Sequence, residues 1–185
     1  AVAVLLIIAA ALADGTSHLK GYTPCGDNEA ALQVARNLGA EVSVDGTSLT
    51  IKGIAAHLGS MGADEYTLHV GESGLLTRMM IPLMTQLCQG PVHFTGEKTL
   101  LGRPLTGAKE ILEAFDARII REDDEAPVCV PLTAAGPLKA GRAEISGKHG
   151  SQLISGLLMA LPFAERNSSL IVHEPKSIPY MLITL

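Results

Sequence analysis

Four short polar segments contain the residues of this chain whose types and spacing are suited to chemistry. They are Gly-Glu-Ser-Gly at 71–74, Leu-Gly-Arg-Pro at 101–104, Gly-Ser-Gln at 150–152 and Ser-Ile-Pro-Tyr at 177–180. Glycine and serine at the start of a helix leave backbone N–H groups free to meet an anion. Arginine donates two parallel hydrogen bonds to a carboxylate or phosphate. These segments are therefore the candidate sites for small anionic ligands.

Apolar runs next to these segments predict the elements that must position them. The runs after Gly74 and after Gln152 have the length and apolar character of buried helices. Pro104 suits the first position of a helix that begins just after Arg103, and Pro179 marks the start of a final helix. Each segment is thus expected where a loop or strand passes into a helix.

Each candidate also has an ordinary structural explanation that the residues alone leave open. Gly74 and Ser151 are types that commonly cap helices. Arg78 is of a type found more often on the surface or in an ion pair, and Arg103 is equally able to close the turn before a helix. Their function therefore depends on what else the sequence indicates.

Three segments share one pattern: an apolar helix, a small turn, a short strand, a polar loop and a second helix. Aligning Gly15 with Gly90 gives an offset of 75 residues, and aligning Leu38 with Phe115 gives 77. The third copy includes a predicted strand at 169–173. Repetition at this spacing predicts supersecondary units that bury their apolar faces against one another.

Hairpins are predicted between the copies. Residues 41–52 alternate in polarity around Asp45-Gly46, a strong turn signal, and 128–144 predicts a second hairpin around Gly136-Pro137. Each unit is therefore expected to be βαβαββ. Because both ends of the sequence fall inside such units, we expect a single incomplete domain over 1–185, with two units and part of a third.

The first thirteen residues are uniformly apolar and allow two interpretations. Their Ala-Leu-Ala ending resembles the core of a signal peptide with its cleavage site, but no positively charged segment precedes it. The run is too short to span a bilayer as a helix. The repeat pattern favours a buried helix instead.

The composition narrows the class of protein. Of 185 residues 47% are hydrophobic and none is tryptophan, so the core is expected to be aliphatic, with helices packed on sheets. A net charge of -5 and the lack of a dense basic run argue against a nucleic-acid partner. Three widely spaced cysteines and six scattered histidines match no metal-ligand pattern, and they predict reduced thiols in a cytoplasmic protein without a metal site.

In order and spacing, the four segments resemble the enolpyruvyl (carboxyvinyl) transferase family, and within it the branch that acts on shikimate 3-phosphate. The resemblance implies an α/β (α+β) fold, an inside-out α/β barrel domain built from βαβαββ repeats. It implies transfer of the enolpyruvyl group of phosphoenolpyruvate to the 5-hydroxyl of shikimate 3-phosphate, with release of phosphate, in aromatic amino acid biosynthesis. No metal or organic cofactor is implied. A complementary second domain or chain is expected, since two such domains face each other across a cleft in the family.

The resemblance also assigns binding roles, residue by residue. The positions that match the phosphoenolpyruvate-binding elements are Gly74, Arg78, Arg103 and Gln152. Those that match the shikimate 3-phosphate elements are Ser151, Gln152, Ser177 and Tyr180. The family's proton-transfer carboxylates lie in the other domain, so no catalytic residue is assigned in this chain.

Several positions depart from the family pattern. Residues that are polar or charged in the family are replaced at Ala1, Leu5, Glu72, Leu75, Gly150 and Leu182, and an expected Asp-Asp pair is Gly26-Asp27. Loss of a charged contact to a buried phosphate costs about 2 to 5 kcal/mol, so we do not expect this chain to turn over alone.

Three alternatives stay open beside this interpretation. The sugar-nucleotide branch of the family is a rival, but it has a cysteine where this chain has about Lys98. A non-catalytic descendant that keeps the scaffold and binds a partner or a different ligand would explain the replaced positions. A folding fragment with an exposed apolar end at 179–185 is the third.

Overall fold

The computed structural model describes residues 2–61 and 64–185. In these residues the α-helices are α1 Val2–Leu12, α2 Gly26–Asn37, α3 Gly74–Leu87, α4 Ala108–Glu113, α5 Gln152–Ala160 and α6 Ile178–Thr184. The strands are β1 Thr16–Lys20, β2 Glu41–Asp45, β3 Ser48–Lys52, β4 Tyr66–His69, β5 Val92–Thr95, β6 Arg118–Ile120, β7 Leu132–Ala135, β8 Arg142–Ser146 and β9 Ser169–His173. Short 3₁₀ helices lie at Ala55–Ser60, Lys98–Leu100 and Leu161–Phe163.

The sheets reproduce the predicted repeat. Within the described chain they have the orders β1-β3-β2, β4-β5-β7-β6 and β8-β9. β3 lies between β1 and β2 with antiparallel pairing, as β7 lies between β5 and β6. β4 pairs parallel with β5 across α3, and β8 pairs parallel with β9 across α5, as in βαβ crossover units. The mixed α/β class and the repeat are confirmed.

The helices α1, α3 and α5 are largely buried, whereas α6 and one face of most strands are exposed. α3 buries eleven of its fourteen residues, and α5 buries six of its nine. The strands alternate instead, as in β8, where Ala143 and Ile145 are buried between exposed neighbours. This distribution, with apolar helices beside half-exposed sheets, fits the inside-out arrangement that the family resemblance implies.

A close crossing holds α3 against α5. A Cβ atom added at Gly156 would lie 2.2 Å from the carbonyl oxygen of Met79, closer than any side chain permits. Glycine is therefore required on α5 so that the two helix backbones can touch. The crossing fixes the relative positions of the two helices whose starts carry the candidate residues.

The N-terminal run forms the predicted buried helix. Seven residues of α1 are buried, among them Val4 and Ile8 at 0% exposure. The hairpin of β2 and β3 is also confirmed, with Gly46 at a φ of 55° in its turn. Within the described residues, no helix combines the length and the apolar character that crossing a membrane requires.

Two local predictions are wrong. Residues 128–144 do not form a hairpin, because β7 pairs with β6 and β8 belongs to the next sheet. Gly136 is needed for close packing, since a Cβ there would lie 2.4 Å from the carbonyl oxygen of Thr85. Pro104 does not begin a helix either, because α4 begins at Ala108, after Gly107 at a φ of 90°.

Candidate functional site

A cavity of about 490 Å³ opens between the starts of α3, α5 and α6. Five residues that the sequence predicted as binding residues line it: Arg78, Ser151, Gln152, Ser177 and Tyr180. Gly74 and Arg103 are outside the lining, but both lie against Arg78 at one side of the cavity. The fold therefore brings together segments that are up to a hundred residues apart in the sequence.

The start of α3 is held by a network of short polar contacts. Ser73 caps the helix, since its hydroxyl accepts a hydrogen bond from the Leu76 backbone N–H at 3.1 Å. The same hydroxyl donates to the Asp27 carboxylate at the start of α2. Thr77 donates to the Ser73 carbonyl oxygen at 2.6 Å. Gly74, the first residue of the helix, is thereby fixed in position.

Two arginines meet at Gly74. A Cβ atom there would lie 2.9 Å from Nη1 of Arg78 and 3.2 Å from Nη1 of Arg103. The guanidinium of Arg78 is held in place, because Nη1 donates to the Gly74 carbonyl oxygen at 2.9 Å and Nη2 to that of Pro104 at 3.0 Å. Only a glycine leaves room for both guanidinium groups beside the helix start.

The electrostatics of this pair favour an anion. Burial lowers the pKa of Arg78, and the nearby charge of Arg103 lowers it further. In the described part of the chain, the Arg103 guanidinium has neither a hydrogen bond nor an ion pair. A carboxylate or phosphate between the two groups would relieve their repulsion and satisfy free donors of both.

The start of α5 offers hydroxyl groups instead of charges. Ser151 is the N-cap residue, yet its side chain makes no capping hydrogen bond. Ser155 lies one turn later and lines the same cavity. Both residues are buried, at 6% and 3% exposure, and neither hydroxyl is hydrogen-bonded to a described residue. Ser151 thus does not cap the helix through its side chain, and it lines the cavity.

The third side of the cavity is formed at the start of α6. Ser177 adopts a φ of 55°, and Tyr180 follows on the first turn of the helix. Both side chains are exposed, in contrast to Ser151. Gln152 is half-buried between this side and α3. These residues therefore form the solvent-facing rim, while the serines of α5 form the floor.

Glu72, a departure from the family pattern, is not among the residues that line the cavity. It accepts hydrogen bonds from the Thr99 hydroxyl at 2.5 Å and the Thr99 backbone N–H at 3.4 Å, and Lys98 Nζ lies 3.8 Å away. The hydrogen bonds from Thr99 lower the pKa of Glu72, and the charges of Lys98 and Arg103 lower it further. The carboxylate therefore ties the loop that carries Arg103 to the start of α3.

Three other departures line the cavity itself. Leu5 of α1 and Leu75 of α3 form part of an apolar wall, and Gly150 precedes the start of α5 at a φ of 105° that disfavours any larger residue. Leu182 is 61% exposed and is not among the lining residues. Ala1 lies outside the described residues. Three of the six replaced positions thus lie in the cavity wall.

The sequence interpretation missed three residues near the site. Ser155 was available as the residue four positions after Ser151, on the same face of a helix. Asp27 was noted only as half of an altered pair, and its contact with Ser73 spans 46 residues. His149 also lines the cavity, beside Gly150. In the described chain, no group of three or more His, Cys, Asp or Glu side chains is placed to hold a metal ion.

Comparison with known protein families gives a match over the whole chain. The family model of EPSP synthase (3-phosphoshikimate 1-carboxyvinyltransferase) matches residues 1–185. A 3-phosphoshikimate 1-carboxyvinyltransferase of Methanospirillum hungatei is 29% identical over 180 residues, which cover 97% of this chain and 40% of the relative. One of Clostridium kluyveri is 31% identical, with the same coverage. The chain thus spans about two fifths of the length of these relatives.

Solved structures share the fold. An EPSP synthase of Acinetobacter baumannii superposes with a TM-score of 0.78 at 24% identity, over 98% of this chain and 40% of that protein. The enolpyruvyl transferase NikO of Streptomyces tendae superposes with a TM-score of 0.57 at 18% identity. At these identities the superpositions establish a common architecture for the described residues.

Proposed function

The chain belongs to the EPSP synthase (3-phosphoshikimate 1-carboxyvinyltransferase) family, and we propose that it forms one half of an enolpyruvyl transferase site. Its substrates would be phosphoenolpyruvate and shikimate 3-phosphate. A complementary second domain or chain would supply the other half. The shared length supports this division, since the matching relatives are about two and a half times as long.

The observation that carries the proposal is the meeting of charge and free donors around one cavity. Arg78 and Arg103 converge at Gly74, where the carboxylate and phosphate of phosphoenolpyruvate find paired cationic donors. Ser151, with Gln152 beside it, offers free donors at the start of α5, where the 3-phosphate of the acceptor would bind. Ser177 and Tyr180 would close the acceptor side.

The reaction is consistent with one group of residues that binds phosphoenolpyruvate and another that binds the acceptor. The 5-hydroxyl oxygen of the acceptor bonds to C2 of phosphoenolpyruvate while C3 gains a proton, and the hydroxyl proton leaves to a base. The bond from C2 to the phosphate oxygen then breaks as C3 loses a proton, which restores the double bond and releases phosphate. This half of the site would hold the anionic groups in line, so that closure of the two halves aligns the reacting atoms and excludes water.

Calorimetric titration tests the proposal directly. The chain is titrated with shikimate 3-phosphate, alone and in the presence of phosphoenolpyruvate, and again as Arg103→Ala. We expect saturable binding that weakens in the variant only when phosphoenolpyruvate is present, by about tenfold or more for a lost charged contact. Arg118→Ala, which removes an exposed arginine on β6, is the matched control. No binding at millimolar ligand would contradict the proposal.

One observation favours a second candidate function. The replaced positions Leu5 and Leu75 place an apolar wall in the cavity, as a non-catalytic descendant that binds a different ligand would allow. The same titration separates the two candidates. If the chain is a non-catalytic descendant, phosphoenolpyruvate gives no binding heat when shikimate 3-phosphate is present. Adding the second domain then restores no turnover.

We also place the protein in the cytoplasm, a proposal supported by its three unpaired cysteines. Cys25 is exposed, whereas burial raises the pKa of Cys88 to about 11. A thiol reagent is therefore expected to label Cys25 in the native chain and Cys88 only after unfolding. Recovery of the protein from cells with Cys25 in a disulfide would contradict this placement.

A further inference from the structure

His149 lines the cavity just before the start of α5, and its side chain is exposed. Among the described residues, its imidazole makes neither a hydrogen bond nor an ion pair. The other titratable residues of the lining are Arg78 and Tyr180. Near neutral pH arginine ordinarily stays protonated and tyrosine neutral, whereas histidine is the type that changes its charge between about pH 5 and 8. His149 is therefore the lining residue suited to change its charge near neutral pH.

The turn that carries His149 is held in place. The Gly147 backbone N–H donates to the His173 carbonyl oxygen at 2.7 Å. A Cβ atom at Gly147 would lie 2.8 Å from Cα of Pro175, so the turn packs closely on the loop before α6. A Cβ atom at Gly107 would lie 3.6 Å from Cδ2 of His149, so the imidazole lies beside the turn that precedes α4. The ring is thus positioned at the cavity before any ligand binds.

Charged groups lie around His149 without pairing with it. Those that share a second cavity of about 230 Å³ with it are Glu110 of α4, Glu144 of β8 and Lys148 of its own turn. Glu144 is already engaged, because its carboxylate lies 2.9 Å from Nε2 of His173. In the larger cavity, Arg78 of α3 and Tyr180 of α6 face the same space as His149. An anion bound there would meet a constant charge at Arg78 and a pH-dependent one at His149.

From this arrangement we infer that protonated His149 binds the phosphate of the acceptor, so that the affinity for the acceptor falls as the pH rises. This inference rests on the proposed function, which places that phosphate at the start of α5. Ser151 follows His149 by two residues, and both line the cavity. An imidazolium N–H donates a charge-assisted hydrogen bond to a phosphate oxygen, which is stronger than the bond from a neutral imidazole. Binding therefore takes up a proton from solution at His149.

Titrations with shikimate 3-phosphate at several pH values test this inference. Calorimetry on the full chain compares the parent with His149→Asn, whose amide does not take up a proton. We expect the parent to bind about threefold to tenfold more tightly than the variant at about pH 6, and nearly equally at about pH 8.5. Protonation of the ligand itself cancels in this ratio. At about pH 7, two buffers of different ionisation enthalpy should reveal proton uptake in the parent that the variant lacks.

Two further variants separate charge from shape. His149→Lys keeps its charge over this pH range, so its affinity for shikimate 3-phosphate should stay high at about pH 8.5. His173→Asn is the matched control, because it removes a neighbouring imidazole that contacts Glu144 and does not line the cavity. It should keep the pH profile of the parent. Because His149 is exposed, its variants should have nearly the same urea midpoint as the parent.

The possible results separate the inference from the proposed function. If the parent binds shikimate 3-phosphate and His149→Asn matches it at every pH, the inference is overturned, while the proposed function stands. A constant ratio of the two affinities from acid to alkaline pH, or an equal loss of the pH profile in His173→Asn, also overturns it.

Shikimate, which lacks the phosphate, should show no pH-dependent difference between the parent and His149→Asn. Such a difference with shikimate would mean that the imidazole meets the ring carboxylate, and the assignment to the phosphate would be overturned. If neither the parent nor the variants bind shikimate 3-phosphate at millimolar concentration, the proposed function is contradicted, and the inference with it.

Discussion

The starts of α3 and α5 meet the same cavity with opposite chemistry. At α3 two guanidinium groups converge on Gly74, and one of them, Arg103, is exposed. α5 has no charged residue within the helix, and Ser151 at its N-cap and Ser155 on its first turns line the cavity with hydroxyl groups. One site would attract its anion over a distance, whereas the other would select it by hydrogen-bond geometry after water has left. With the proposed substrates, this one cavity would therefore distinguish two phosphate-bearing ligands by the environment around each phosphate rather than by ligand charge.

The crossing of α3 and α5 is common to both sites, so disrupting it should have the largest effect. Gly156→Ala would force a Cβ to within 2.2 Å of the Met79 carbonyl oxygen. We expect a loss of about 1 to 3 kcal/mol or more in the free energy of unfolding, as for overpacked cores, with weaker binding at both helix starts. Urea denaturation measures the loss. Gly141→Ala, where no atom lies within 4 Å, is the control and should be nearly neutral.

A change at Gly74 should separate the two sites. Gly74→Ala places a Cβ 2.9 Å from Nη1 of Arg78, the end of a flexible side chain that can move. The fold should therefore survive, while displaced guanidinium groups weaken phosphoenolpyruvate binding by about tenfold. Calorimetry with each ligand checks this.

The control for that change is Gly26→Ala, at the first residue of α2, where added atoms meet open space. It should leave the affinity for phosphoenolpyruvate unchanged. An equal loss of affinity for both ligands in Gly74→Ala would show that the two helix starts are not independent.

Removing a hydroxyl group at α5 should reduce the affinity for shikimate 3-phosphate, and by less than Gly74→Ala reduces that for phosphoenolpyruvate. Ser155→Ala is expected to weaken binding of shikimate 3-phosphate by about threefold to tenfold, since one hydrogen bond to a charged group is lost. The affinity for phosphoenolpyruvate, measured without shikimate 3-phosphate, should not change. Ser17→Ala on β1 is the control. An unchanged affinity for shikimate 3-phosphate would exclude Ser155 from the site.

The smallest effect concerns the charge of Glu72. The carboxyl group of Glu72 has a lowered pKa in the folded chain. Its contribution to stability is therefore present above its ordinary pKa of 4.5, and is lost as the pH falls through its pKa in the folded state. Glu72→Gln should therefore lower the urea midpoint at neutral pH, and the difference from the parent chain should shrink below about pH 4.

Glu122→Gln is the matched control, because this exposed glutamate has no hydrogen bond or ion pair with a described residue. Its urea midpoint should follow that of the parent chain at each pH. A difference between Glu72→Gln and the parent chain that stays constant from neutral to acid pH would contradict the role assigned to the Thr99 contacts.

The sequence predicted the fold well where the periodicity was strong. The βαβαββ repeat, the buried helix α1 and the helix starts at Gly74 and Ser151 were all expected, because glycines, prolines and apolar runs act locally. Gly136 misled the prediction, since its role is to pass close to Thr85, a contact 51 residues away. Turn signals and close-packing glycines look alike until the neighbouring element is known.

The site was harder to predict than the fold. The segments that match the family pattern predicted Arg78, Ser151 and Gln152, which line the cavity. The sequence of α5 is almost uniformly apolar, so it did not indicate that the face carrying Ser155 lines the cavity. For a helix buried on most sides, the sequence does not indicate which face lines a cavity. The hydrogen bond between Glu72 and Thr99 was not predicted, because Thr99 lies 27 residues further along the chain.

The contact between Gly156 and Met79 also fixes a distance within the molecule. Because the two helix backbones touch, neither helix can slide along its partner without a clash, so the distance between the starts of α3 and α5, where we propose the two anion sites, is fixed when the chain folds. A second domain that closes over the cavity would then meet two helix starts held at a fixed separation. At the proposed sites, a pair of ligands whose charged ends are too close together or too far apart would not fit this spacing, whatever its charge.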